Sequence, residues 1–341
     1  MLNVVAQRGN GLASACRFGT ATPTWRPRVQ RPRASIAPMK PIEFRFGGYQ
    51  EPASIHNRAA SYFGEQLHKR LGDRARFELI GSVLKLGRPS GDLPVMVERG
   101  ELDFAYMASI RFTKWVPDFA LFDLPFVVQD RASIQRALTG ELGERFKQAM
   151  DASPFKLLGI WDNGFRYFSN KVRPIRAPAD CKGLRIRIQL SELIAETMSA
   201  LGFVPVSVDI KEFTENIGSD RFDAQENPLT NIYNFGVHNH HRYITLSGHL
   251  FGVALMICDK AHYLGWPEDV RAAVDEAARA ATTYQHRLAA AEDGEVRRKL
   301  DPAKNEVIEL TPEERAAFVA AVRPVLDKHR GKLDPTLFEY L

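Results

Sequence analysis

The chain has 341 residues, 45% hydrophobic and 26% charged, with a formal charge of +5 and a pI near 9.1, figures that describe a globular protein long enough for two domains. Seven basic residues (Arg8, Arg17, Arg26, Arg28, Arg31, Arg33, Lys40) precede the first acid, Glu43, and from position 41 onward 39 basic residues face 41 acidic ones. A body at −2 lacks the basic excess of a nucleic-acid binder, and no run nears the roughly 18 apolar residues of a membrane span.

Residues 1–41 are rich in Arg, Pro, Gly, Ser and Ala, lack hydrophobic periodicity, and read as a disordered basic tail. A secretory signal needs an apolar stretch of about 7–15 residues, and Met1 to Ala6 is interrupted by Asn3. An organellar transit peptide or a mis-assigned start codon would account for the same composition. Order is expected from Ile42. Glu43–Phe46 alternates as a strand; Ile55, Ala59, Tyr62/Phe63 and Leu67 recur at helical spacing; Arg76–Ile80 is a second strand. A short helix (Asp92–Arg99), a strand (Leu102–Met107), a helical stretch (Arg131–Ala152) and a strand (Leu157–Trp161) follow. Strand Leu184–Ile188, helix Glu192–Leu201, strand Val204–Val208, a short helix from Ile210 and strand Phe222–Gln225 continue the alternation. Such alternation predicts βαβ units, an α/β class, and two parallel-sheet lobes. Late in the chain Pro267 opens a helix whose stripe runs from Val270 to Leu288 and which Gly294 closes. Thr311-Pro-Glu-Glu314 is a capping box opening a last helix through Phe318 and Val322.

Cys16, Cys181 and Cys258 have neither zinc nor disulfide-framework spacing. Free thiols are expected, with a Cys181–Cys258 bridge as the alternative. Phosphate-loop, dinucleotide and nucleophile-elbow motifs are absent, and no nucleophile–base or paired-carboxylate arrangement emerges, so no enzyme is expected. His238-Asn-His240-His241 is the one metal candidate; no acid completes a ligand set, so a solvated polar surface is expected and no cofactor or metal is assigned.

Gly183-Leu-Arg-Ile-Arg-Ile188 is more informative. In a strand Arg185 and Arg187 share one face. One reading has both reach solvent from an edge strand. In the other, Arg187 lies near the C-terminal end of its strand, where open α/β sheets bind ligands. Asp223-Ala-Gln-Glu-Asn-Pro228 also ends a strand and presents Gln225, Glu226 and Asn227 to the same edge. An arginine fork beside an amide is a receptor for a carboxylate.

Trp161-Asp-Asn-Gly-Phe-Arg-Tyr-Phe-Ser-Asn170, Lys182-Gly-Leu-Arg-Ile-Arg187, Gln225-Glu-Asn-Pro228 and Tyr243-Ile-Thr-Leu-Ser-Gly-His249 resemble, in order, signature blocks of the DctP-type solute-binding proteins of tripartite ATP-independent periplasmic (TRAP) transporters. Gly100-Glu-Leu-Asp103 and Pro117-Asp-Phe-Ala-Leu-Phe-Asp-Leu-Pro-Phe126 match as well. The resemblance implies a two-lobed periplasmic-binding-protein fold, type II-like, with hinge strands and a long helix, Pro267 to Asp293, across both lobes. Lobe 1 would hold residues 42–163 and 253–293, and lobe 2 residues 164–252 and 294–341. It further implies lobe closure on an organic acid, with Arg187 making a bidentate salt bridge to its carboxylate, Asn227 assisting, and Arg166 lining the cleft. Ile210 stands where some members carry an aromatic, Ala224 where the family has Gly, and Arg88 in a segment where it commonly has acids or polar residues; Arg88 is a further cleft candidate. The implied partners are a small organic acid and a two-component membrane permease, and the implied location is the periplasm. A cytoplasmic ligand sensor on the same fold, with the tail as a partner-binding arm, is the alternative.

Overall fold

The alternation around Glu43 becomes strand β1 (Ile42–Gly47), followed by α1 (Ile55–Leu71), β2 (Ala75–Ile80), α2 (Leu93–Glu98) and β3 (Phe104–Ala108). The computed structural model describes residues 40–341, so the basic tail and Cys16 lie outside the described residues but for Lys40 and Pro41. The stretch Arg131–Ala152 divides at Gly140 into α3 (Arg131–Thr139) and α4 (Glu141–Met150). Then come β4 (Phe155–Asn170), α5 (Pro178–Cys181), β5 (Arg185–Ile188), α6 (Glu192–Ala200), β6 (Val204–Ser207), α7 (Ile210–Thr214), β7 (Ala224–Pro228) and α8 (Leu229–Asn234). The chain closes with β8 (Tyr243–Asp259), α9 (Lys260–Gly265), α10 (Glu268–Lys299), β9 (Glu306–Ile308) and α11 (Pro312–Arg330).

All nine strands of the described residues join one sheet in the order β2-β1-β3-β8-β4-β7-β5-β6, with β9 on β8. Strand β1 pairs in parallel with β2 and β3, and β5 with β6 and β7. The expectation of two parallel sheets is corrected here, because β8 runs antiparallel to β3 and β4, and β4 antiparallel to β7, and the pair welds the two sets together. These two strands, of 17 and 16 residues, are common to both lobes. Three register shifts interrupt their pairing, and in one of them Asp162 pairs with Val253 and Gly164 with Gly252, so that Asn163 is an extra, unpaired residue. Such a bulge bends a strand and re-aims a side chain. Gly164 takes φ +92° there, a conformation that disfavours any residue with a Cβ.

Two clusters make the core, the larger of which runs from the β1–β3 side on to Val208, Phe213 and Phe222. Phe44, Phe46, Phe63, Phe104, Tyr106 and Trp161 pack edge and face around β1 and β3, with Phe46 and Trp161 stacked 6.2 Å apart. Phe168, Ile186, Ile188, Ile194, Met198, Phe318 and Val322 form a second cluster under β5. Fully burying each such side chain contributes about 1.5–3 kcal/mol. The α1 stripe follows from Ile55, Ala59, Phe63 and Leu67, capped by Ser54, whose side chain accepts from the Asn57 amide at 3.2 Å. The box at Thr311 forms as its sequence dictates: the Glu314 amide donates to Thr311 Oγ1 and the Thr311 amide to the Glu314 carboxylate.

Helix α10 corrects a boundary. It passes through Gly294 to Lys299, because a mid-helix glycine costs only about 1 kcal/mol and the neighbouring Asp293 is tied down. Arg131 Nη2 and Tyr167 Oη donate to its carboxylate at 2.9 and 3.1 Å. Cys181 and Cys258 are free, buried thiols. No helix among the described residues is long and apolar enough to cross a membrane.

Candidate functional site

Strand β5 has neighbours on both sides, so its arginines do not share an edge strand's solvent. Arg185, near the strand's start, is exposed and forks onto Asp223 at 2.9 Å through both Nε and Nη2. Arg187, two residues on, is 2% exposed. Its Nε and Nη2 both donate to the Val208 carbonyl, at 3.1 and 2.8 Å, and its guanidinium lies 5.2 Å from the centre of the Phe213 ring. Among the described residues no carboxylate bonds it. Burial therefore dominates and holds its pKa down to about 10, still protonated at neutral pH.

Arg187 lines a narrow cavity between the β1–β3 side and the β5–β7 side of the sheet, with about 20 Å³ of space open to a water-sized sphere. Arg166, Asn227 and Ile210 share the wall with it. Asn227 comes from the end of β7, whose Gln225 pairs with Arg187 in register. The Asn227 amide donates to Gln225 Oε1 and its oxygen accepts from Asn231 at 3.2 Å.

Gln225 and Glu226 do not join the wall, a correction to the expectation that they present there with Asn227, although Gln225 shares Asn227's strand face. Gln225 is buried and donates to Ser169 Oγ at 2.6 Å. Glu226, fully buried, grips the Arg166 guanidinium through both carboxylate oxygens, with Nη2 also donating to the Glu226 carbonyl at 2.9 Å. Burial works to raise the Glu226 pKa, but the Arg166 charge and the nearby His249 outweigh it and bring the carboxyl down to about 2. Arg166 shifts upward, since the same carboxylate overcomes its own burial. Arg88 is absent from the cavity for an equally plain reason: it is satisfied outside it, by Asp92 at 2.8 Å and Glu101 at 3.4 Å.

Distant segments supply the rest of the wall, which no local motif signals. Tyr49, Ser90 and Arg111 come from the β1–β3 side, and Gln189, Asn231 and Phe235 from the other. Asn163 is the bulged residue of β4, and its Asn-Gly dipeptide inside a strand is the one sequence sign that could have exposed it. Contacts bridge the cleft. The Asp209 carboxylate accepts from the Ser90 amide at 3.2 Å, Ser90 Oγ at 3.0 Å and Arg111 Nη2 at 3.1 Å, and Gln50 donates to Asn231 at 3.0 Å. Burial opposes ionisation of Asp209, yet these donors and the Lys211 amide lower its pKa.

The histidines do not form the solvated surface expected of them. His241 is fully buried, with Nδ1 2.9 Å from Ser169 Oγ, and His238 stacks on Tyr233 at 4.5 Å; only His240 is exposed. No three His, Cys, Asp or Glu side chains converge as metal ligands among the described residues.

The family model described as bacterial extracellular solute-binding protein, family 7 (DctP), matches residues 46–332. The C4-dicarboxylate-binding periplasmic protein DctP of Rhodobacter capsulatus is 28% identical over 294 residues, covering 85% of this chain and 86% of its own. The 2,3-diketo-L-gulonate-binding periplasmic protein YiaO of Escherichia coli is 27% identical over 278 residues, 82% and 84% of the two chains. In fold, the chain matches a TRAP periplasmic solute-binding protein of Shewanella oneidensis solved with succinate, at a TM-score of 0.83 and 23% identity, over 88% of this chain and 98% of that one. It matches the sugar-acid-binding protein DctPAm of Advenella mimigardefordensis, solved with galactonate, at 0.83 and 22%, over 88% and 96%.

Proposed function

The chain belongs to family 7 of the bacterial extracellular solute-binding proteins, the DctP family, and from that premise we propose that it receives a small organic acid by closing two lobes on the acid's carboxylate and delivers it to a two-component TRAP permease. It is a binding protein and not an enzyme. The observation that carries the reading is Arg187, a guanidinium 2% exposed, on the wall of the cavity, bonded among the described residues only to a backbone carbonyl. A buried cation that no carboxylate contacts is costly, and a bidentate carboxylate reduces that cost.

Arg187 forks onto the carboxylate in this reading, the Asn227 amide assists, and Arg166 lines the wall with its own charge held by Glu226. Gln225 and Glu226 act indirectly, by fixing Asn227 and Arg166. Ile210 packs on the ligand's carbon chain. Lobe 1 comprises residues 42–163 with 253–293, and lobe 2 residues 164–252 with 294–341. The bulge at Asn163 and the Gly164–Gly252 pairing support a boundary at those positions, since both relax the ribbon there. A periplasmic location is supported by the relatives, which are named as periplasmic proteins.

A thermal-shift panel of mono- and dicarboxylates, sugar acids and their neutral counterparts tests the reading. A ligand at about 100 times its Kd adds about 2.7 kcal/mol of stability. If neutral sugars raise the Tm and no carboxylate does, the Arg187 mechanism is wrong.

A further inference from the structure

The charge balance of the cavity narrows the kind of acid it takes, an argument that rests on Arg187 being the carboxylate anchor. Three guanidiniums line the cavity: Arg111, Arg166 and Arg187. Two already hold a carboxylate of the protein itself. Glu226 grips Arg166 through two oxygens, and Asp209 accepts from Arg111 at 3.1 Å. Among the described residues no lysine and no acid lines the wall itself. One positive charge, that of Arg187, is left over. Asp123, buried close enough to feel both Arg166 and Glu226, can only reduce this surplus when it ionises.

A ligand with one carboxylate neutralises the cavity. A second carboxylate would enter a largely desolvated space in which every remaining cation is already paired, where an unmatched charge is strongly disfavoured. Hydrogen-bonding capacity points the same way. Asn163 has its side-chain oxygen buried and without a partner, and Arg111 has Nε in the same condition. An unpartnered acceptor needs a proton donor, which a carboxylate is not and a hydroxyl is; a hydroxyl oxygen can also accept from Arg111. Tyr49, Gln189, Asn227 and Asn231 add a phenol and three amides, groups that both donate and accept, as hydroxyls do.

We propose that the cavity selects a hydroxylated monocarboxylate over dicarboxylates of the same length, with Asp209 excluding the second carboxylate by occupying Arg111.

Isothermal titration of the full chain with aldonates and dicarboxylates, paired at four, five and six carbons, tests this. The tightest ligand is expected to be an aldonate, bound at least tenfold more tightly than the dicarboxylate of equal length. Asp209→Asn frees Arg111 and is expected to reduce that preference at least threefold. If Asp209→Asn does not fold, the wild-type ratio decides alone. Tighter wild-type binding of a dicarboxylate, abolished by Arg187→Ala, overturns the proposal and leaves the anchor standing. A folded Asp209→Asn variant with unchanged preference also overturns it. Binding of either class that survives Arg187→Ala, or no binding of either, overturns the anchor and the proposal together.

Discussion

Replacing Arg187 with methionine keeps much of the side chain's volume and removes its charge. Burial brings this guanidinium down to about 10 from 12.5, so the folded apo protein carries a penalty on the charged form of about 3 kcal/mol. The substitution lifts that penalty. It also deprives the Val208 carbonyl of two donors, at a cost of about 1–3 kcal/mol. The two effects nearly cancel, and the Tm of the apo protein should move by only a few degrees. Ligand binding responds differently. A carboxylate brought into the cavity would lose its partner, an effect of about 3–5 kcal/mol, or roughly 200- to 5,000-fold in Kd. Calorimetric titration of wild type and Arg187→Met with the best acid from the panel measures this, with melting curves of the two apo proteins as the control for folding. A variant that binds within tenfold of wild type would refute the assignment of Arg187, whatever its Tm.

Two predictions concern pH. Glu226 is brought to about 2 from 4.5, so its ionised form contributes about 3 kcal/mol, present above about pH 4.5 and lost as the pH falls toward 2. Glu226→Gln should flatten the wild-type loss of stability across that acid window and, by leaving Arg166 without its counter-charge, lower the Tm at neutral pH; equal acid profiles in denaturant unfolding would contradict the pairing. Asp123 behaves in the opposite sense, since burial raises it from 3.8 to about 7. Its neutral form fits the fold, and the stability present below about pH 3.8 declines as the pH rises through about 7. Asp123→Asn should therefore stabilise the protein more at pH 8 than at pH 5, and a pH-independent difference would contradict it.

Much of the β5–β7 half of the site was legible because parallel strands end where ligands bind, and Arg187 and Asn227 stand at two such ends. The same pattern could not separate Arg185 from Arg187, which share a face of one strand. What separates them is Asp223, which draws Arg185 outward, while the Val208 carbonyl and Phe213 hold Arg187 inward. Glu226 was misread because alternation says which face a side chain takes and not whether a buried arginine waits there. Strand β8 and the second half of β4 were the largest omission: Gly164, Gly248 and Gly252, together with the register shifts, break the period-two pattern that announces a strand. Tyr49, Ser90 and Arg111 stayed hidden for another reason. Their contribution depends on a meeting across the cleft with distant segments, as in the separations of 119 residues between Ser90 and Asp209 and 98 between Arg111 and Asp209.

The bulge at Asn163 also bears on how a molecule of this design would report that it is occupied. In many receptors the binding groups and the moving joint are separate, and a relay of packed side chains must connect them. Here one wall residue of the cavity is itself the surplus residue of the ribbon shared by both lobes. A pull on its side chain is applied to the ribbon's backbone directly, beside a glycine at φ +92°. Where the proposed lobe closure bends the ribbon at this bulge, detection and motion would share a single mechanical element.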